Sequence, residues 1–215
     1  MSYIREVTED ALQGGFQVCT HAIGDKGNRE VLDIYEAVLK GVDQKPDHRF
    51  RIEHAQHLAG SDIPRFAELG VIPAMQAIHM ASDRPWAIDR LGRARIEEGA
   101  YVWQKLLQSG ARIVNGTDVP VEPISPVACF YASVTRKTLQ GEPDGGHEPR
   151  QRMSREQALQ SYTLDAAYGA FEEGIKGSIR SGKLADFTVF DRDIMMVPEA
   201  ERMTLSGLSK FTKSV

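Results

Sequence analysis

The chain has 215 residues, 41% of them hydrophobic and 26% charged, with a formal net charge of −4. That length and mixture support one or two globular domains with a proper core and argue against a disordered chain. The acidic balance, with no Lys/Arg cluster, argues against a nucleic-acid binder, and no run approaches the roughly 18 apolar residues of a membrane span.

In chain order, residues 9–14 read as the tail of a helix closed by Gly14, feeding a short strand at 16–20 that ends on His21. An amphipathic helix follows Asp25, with Val31, Ile34, Tyr35, Val38 and Leu39 at helical spacing and Gly41 as its stop. Pro46 and Asp47 turn the chain, and Phe50 and Ile52 alternate with Arg49, Arg51 and Glu53 in a second strand ending at His54. Ser61 or Asp62 can cap a short helix closed by Gly70, and a third strand at 71–75 runs into Gln76 and His79. Residues 80–95, with Pro85 and several charges, read as an irregular stretch of the kind that walls a site. A helix is expected at 97–109, with Trp103, Leu106 and Leu107 as core, then a fourth strand at 111–115 leading to Asp118.

Three prolines lead into a helix at 127–139, and a glycine- and proline-rich surface loop follows at 141–151. Ser154-Arg-Glu-Gln157 fits a capping box for a helix reaching about Phe171. After Gly174 the pattern changes to a pair of short strands around a glycine turn, and the tail from Glu199 has only weak periodicity. Cys19 and Cys129 sit in apolar contexts and read as buried free thiols in a reducing cytoplasm, and the first ten residues carry no apolar run of the signal-peptide kind.

Four strands, each followed by a helix, imply a parallel α/β sheet. His21 and His54 are 33 residues apart, and His54 and Asp118 are 64 apart; a βαβ unit takes about 30, so these intervals fit one and two units. Parallel strands point one way, so His21, His54, Gln76 and Asp118 collect at one rim. Imidazole nitrogen and carboxylate oxygen suit zinc and similar ions, and two histidines with an aspartate could hold one beside a water of lowered pKa. A lone strand-end histidine is more often structural; three such residues in order weaken that reading.

His21-Ala-Ile-Gly-Asp25, Ile52-Glu-His-Ala-Gln56, Met75-Gln-Ala-Ile-His79 with Ser82-Asp83, Gly116-Thr-Asp-Val-Pro120 and Gly182-Lys-Leu-Ala-Asp186 stand in the order of the amidohydrolase superfamily. The chain resembles that superfamily over about residues 8–197, and within it the branch of N-substituted formamide deformylases. The resemblance implies a metal-dependent TIM-like βα barrel with a small appended β-sandwich. It implies that His21 is the metal ligand of strand five and His54 that of strand six. Asp118, of strand eight, would be both general base and metal neighbour, and His79 would contact substrate or polarise its carbonyl. Gln76 and Asp83 join His79 as expected substrate contacts, and the expected ion is divalent, most simply zinc.

Complete members of the superfamily carry a His-x-His pair on the first strand, which is absent from these residues. The chain therefore reads as the C-terminal half of such an enzyme: residues 1–173 as about four βα units of the barrel, residues 174–215 as part of a composite β-sandwich and tail. A half-barrel would leave strand edges open. The expectation is pairing with a second copy, pairing with a separately encoded N-terminal half, or poor solubility, with incomplete metal binding and little activity in the isolated chain. The expected function is hydrolysis of amide-like carbon–nitrogen bonds in a small molecule by a cytoplasmic protein, neither membrane nor nucleic acid being a partner. The alternatives are a non-catalytic remnant that folds or binds through a partner chain and, ranked last, a phosphate-handling half-barrel.

The remaining polar residues have plainer expected roles. Asp25 caps the helix after it; Glu53 points to the outer side of the barrel, away from His54, as an ion-pair partner. Gln56 shares the face of His54 and could orient a ligand. His48, His57 and His147 are solvated or at the surface. Asp83 and Trp86 wall a pocket or cap a loop, and turn geometry and a salt bridge explain Lys183 and Asp186.

Overall fold

The computed structural model describes residues 2–42, 46–199, 201 and 207–211, with no side chains described for residue 2 or for 207–211. The chain divides into two compact units, one of residues 1–75 and 86–113, the other of 76–85 and 114–215.

In the first unit, α1 (Ser2–Gln13) leads to β1 (Cys19–Ala22), α2 (Asp25–Lys40), β2 (Arg51–His54), α3 (Ile63–Leu69) and β3 (Ile72–Met75). The strands pair in parallel in the order β1-β2-β3, as the alternation of strands and helices predicts. The apolar stripe of α2 is what fastens it: Val31, Leu32, Ile34, Tyr35, Val38 and Leu39 are all buried. Burying one such side chain contributes about 1.5–3 kcal/mol, so the stripe is what holds α2 in place. Tyr35 packs on Phe50 with ring centroids 4.9 Å apart, and its hydroxyl reaches Thr20 Oγ1 at 2.7 Å and the Arg51 carbonyl at 3.0 Å. One side chain thus bolts α2 to β1 and β2 together. Gly70 closes α3 in the left-handed conformation (φ 70°), where a side chain would be strained.

α4 (Ala77–Leu91) carries the chain between the units, residues 86–91 belonging to the first. The irregular stretch expected from 80 to 95 is helical instead. Pro85 removes one helical N–H, but Met80, Ala81 and Ala87 are buried, and their burial overrides the local preference. The helix expected at 97–109 is broken into α5 (Arg93–Gly99) and α6 (Trp103–Gln108). The break follows from a close approach of backbones: Leu58 N–H donates to the Gly99 carbonyl at 2.9 Å, and a Cβ on Gly99 would stand 1.6 Å from the Leu58 oxygen. His57 bridges to Ala100, and Tyr101 takes φ 52°.

The second unit contains β4 (Val114–Asn115), α7 (Pro126–Thr135), α8 (Arg155–Tyr162), α9 (Leu164–Gly169), β5 (Phe187–Phe190) and β6 (Gly207–Phe211). α7 is buried on all sides from Ala128 to Thr135, so it is a core helix, and Ser125 Oγ caps it by accepting from Ala128 N–H at 3.2 Å. It ends at Arg136, short of the expected 139, because Arg136 turns left-handed (φ 56°) and buries its guanidinium against the His147 carbonyl. The capping box of Ser154 and Gln157 is present, but the helix stops at Tyr162 and restarts at Leu164.

The two short strands expected around the glycine turn after Gly174 do not form a hairpin. β5 pairs antiparallel with β6, which lies in the weakly periodic tail; residues 202–206 and 212–215 of that tail lie outside the described residues. Lys183 donates to the Glu173 and Lys176 carbonyls rather than pairing with exposed Asp186, so it locks a turn, as expected, without the expected salt bridge.

Candidate metal centre

His21 is the third residue of β1 rather than its terminus, and its Cα is in register with Glu53; His54, the last residue of β2, is opposite Ala22. Side chains in register on parallel strands share a face. One face of the β1–β2 pair therefore carries Thr20 and buried Ala22 and Ile52, turned to α2, and the other carries Cys19, His21, Arg51 and Glu53. Glu53 sits with His21, not on the helix-covered side where alternation from His54 would put it, and it accepts from Arg51 Nε at 2.8 Å.

Simple alternation would also turn the His54 ring away from His21. It does not, because His54 and Ala55 both adopt left-handed backbone, at φ 76° and 46°. Non-glycine residues pay about 1–3 kcal/mol each for such conformations, which persist where their surroundings enforce them. The two rings meet edge to face, centroids 4.5 Å apart at 74°. The ladder continues through the kink, with Ala55 N–H on the Ala22 carbonyl and His57 N–H on the Ile23 carbonyl, both at 3.0 Å.

In the second unit, His79 stands in the first turn of α4, 7% exposed, with its N–H on the Gln76 carbonyl at 3.1 Å. Its Nε2 lies 3.3 Å from Asp118 Oδ2. Asp118 is half-buried and also left-handed (φ 59°), its carbonyl accepting from Val121 N–H at 2.8 Å. Gln76 is buried directly after β3, and Asp83 is half-buried one helical turn beyond His79.

Asp25 is not the cap of α2: Gly24 holds that position, and Asp25 lies in the first turn, where its charge favours the helix dipole. His48 is not solvated; its Nε2 meets the Leu69 carbonyl and its Nδ1 accepts from Phe50 N–H, each at 2.9 Å. His57 is half-buried against Tyr101, and Gln56 is 4% exposed, its carbonyl accepting from Tyr101 N–H. Both cysteines are free, as expected, but Cys19 is exposed beside Arg51 and Glu53 and only Cys129 is buried. Burial, then the Glu122 charge, push the Cys129 thiol up to about 11. Asn28 escaped the sequence reading, although an amide in the first turn after a strand-end histidine was a signal available there.

The donor types, histidine imidazole and aspartate carboxylate, are compatible with a divalent ion. Histidines in the last two residues of β1 and β2, with an aspartate after β4, fit an α/β protein built from about four units of the TIM-like barrel plan. The chain belongs to the amidohydrolase family, whose sequence profile matches residues 2–207. It is 38% identical over 182 residues, 85% of this chain and 31% of the relative, to "Protein LONG AFTER FAR-RED 3" of Arabidopsis thaliana. It is 27% identical over 218 residues, 100% of this chain and 39% of the relative, to the N-substituted formamide deformylase of Arthrobacter pascens. An uncharacterized metal-dependent hydrolase of Pyrococcus furiosus superposes with a TM-score of 0.75 at 32% identity, covering 90% of this chain and 37% of that one. The chain thus spans about a third of the length of the relatives it matches. No helix among the described residues is long and apolar enough to cross a membrane.

Proposed function

We propose that the chain is the ligand-bearing C-terminal part of a metal-dependent hydrolase that cleaves carbon–nitrogen bonds of amide-like small molecules. The observation that carries this reading is the left-handed turn at His54, which brings its ring to within 4.5 Å of His21 at the cost of backbone strain. His21, His54 and Asp118 would hold the ion, most simply zinc, with His79 beside Asp118. The ion, when bound, supplies Lewis-acid polarisation and lowers the pKa of water.

The protein's own groups handle the proton. Asp118 Oδ2 lies 3.3 Å from His79 Nε2, at ion-pair distance, which leaves Oδ1 to accept a proton from the attacking water. Returned to the departing nitrogen, that proton makes the amine a competent leaving group. Gln76 and Asp83, flanking His79, are assigned to substrate contact. The formamide deformylase relative makes N-substituted formamides the first substrates to try.

Residues 1–173 as barrel and 174–215 as β appendage remain part of this reading, as does a cytoplasmic setting for an exposed free thiol. So does a second copy or a separate N-terminal half: among the described residues β1 pairs only with β2, and its His21 is exposed. The experiment is metal analysis of the purified chain with an assay of formate release from N-substituted formamides, with and without added zinc. Bound metal that disappears in His21→Ala and His54→Ala supports the reading; less than about a tenth of an ion per chain under zinc-replete conditions overturns it in favour of a non-catalytic remnant.

A further inference from the structure

We infer that Asn28 is the positioning residue that sets the spacing of the His21 and His54 rings. Its side chain lies in the first turn of α2 and is 0% exposed. Nδ2 stands among four carbonyl oxygens: Gly24 at 2.9 Å, Ile23 at 3.2 Å, and Ala22 and His57 at 3.3 Å. An amide oxygen placed there would face four acceptors, so the chemistry dictates that the NH₂ group points at them.

The identity of those carbonyls gives the side chain its role. Ala22, Ile23 and Gly24 form the chain that leaves β1 directly after His21. His57 lies three residues beyond His54, on the chain leaving β2. A single buried amide therefore ties the exits of both histidine-bearing strands to the start of α2. The strained pair His54 and Ala55 sits inside the loop so anchored, between β2 and the His57 carbonyl. Holding that carbonyl on Asn28 stops the loop from relaxing to an ordinary strand exit, which would swing the His54 ring to the other face of the sheet. Aspartate here would set a carboxylate against four acceptors; alanine would remove the one side chain that links the carbonyls of both strand exits.

That the spaced rings serve a metal rests on the proposed function; the spacing itself needs none. The test uses the full chain, metal-free, with isotopically labelled histidine, and reads the NOE between the His21 and His54 ring protons. Zinc affinity is read separately by competition with a chromophoric chelator. The variants are Asn28→Asp and Asn28→Ala, with Asn115→Ala as control, since Asn115 is another buried asparagine, bonded to Ser161 in the other unit. We expect the NOE in the wild type and in Asn115→Ala, its loss in both Asn28 variants with helix content retained, and about a tenfold fall in zinc affinity. An NOE unchanged in folded Asn28 variants, or absent from the wild type, overturns the assignment. If aspartate or alanine prevents folding, Asn28→Ser, which keeps one short donor, carries the same measurement. A wild type that binds no zinc while the NOE pattern holds overturns the metal reading and supports this one.

Discussion

The rings of His21 and His54 meet edge to face at 4.5 Å, although the register of β1 and β2 sets His54 opposite Ala22 and His21 opposite Glu53. A left-handed turn at the end of β2 reconciles the two facts. The contact thus exists at the cost of backbone strain, and that sharpens what substitutions near it should do.

Ala55 takes φ 46° and is 0% exposed, so Ala55→Gly removes a steric penalty without opening much space. The metal-free chain should gain about 0.5–1 kcal/mol in urea unfolding, while the His21–His54 contact weakens as the turn becomes freer.

His54→Ala should lower zinc affinity by at least about tenfold, read by chelator competition, with little change in secondary structure. A variant that retains wild-type affinity would remove His54 from the ligand set.

Asp118→Asn keeps a residue type that tolerates the left-handed backbone and deletes the negative charge. It should preserve the thermal melt of the chain and lower any hydrolytic rate by about a hundredfold or more, the scale of a lost general base.

Gly99→Ala should be severely destabilising, by about 3 kcal/mol or more, because a Cβ would stand 1.6 Å from the Leu58 carbonyl oxygen and backbone must move. Circular dichroism melts will show this directly.

Cys129 yields a pH signature. Its folded thiol is pushed from 9.0 up to about 11, so above pH 9 the unfolded chain gives up a proton that the folded chain keeps. Its contribution to stability is whole below pH 9 and declines as pH rises towards 11; Cys129→Ala should flatten that decline in denaturant titrations. At pH 8, a thiol reagent should label exposed Cys19 and spare Cys129 until the chain unfolds.

What could be read from the chain alone was whatever depends on short stretches. Hydrophobic spacing marked α2, glycine marked the ends of α2 and α3, and Ser154-Arg-Glu-Gln157 marked a cap, because each is a local interaction within one or two turns. The order of His21, His54, His79 and Asp118 along alternating strands and helices pointed to a βα architecture and to the amidohydrolase family. Tertiary contacts decided the rest. Burial kept α4 helical through Pro85, the approach of Gly99 to Leu58 broke the next helix, and a distant tail strand displaced the expected hairpin partner of β5. Periodicity alone would put His54 on the wrong face, since it cannot register a left-handed turn whose strain is offset by hydrogen bonds to residues 22, 23 and 28. Residue types could name the candidate ligands; only the folded backbone could aim them.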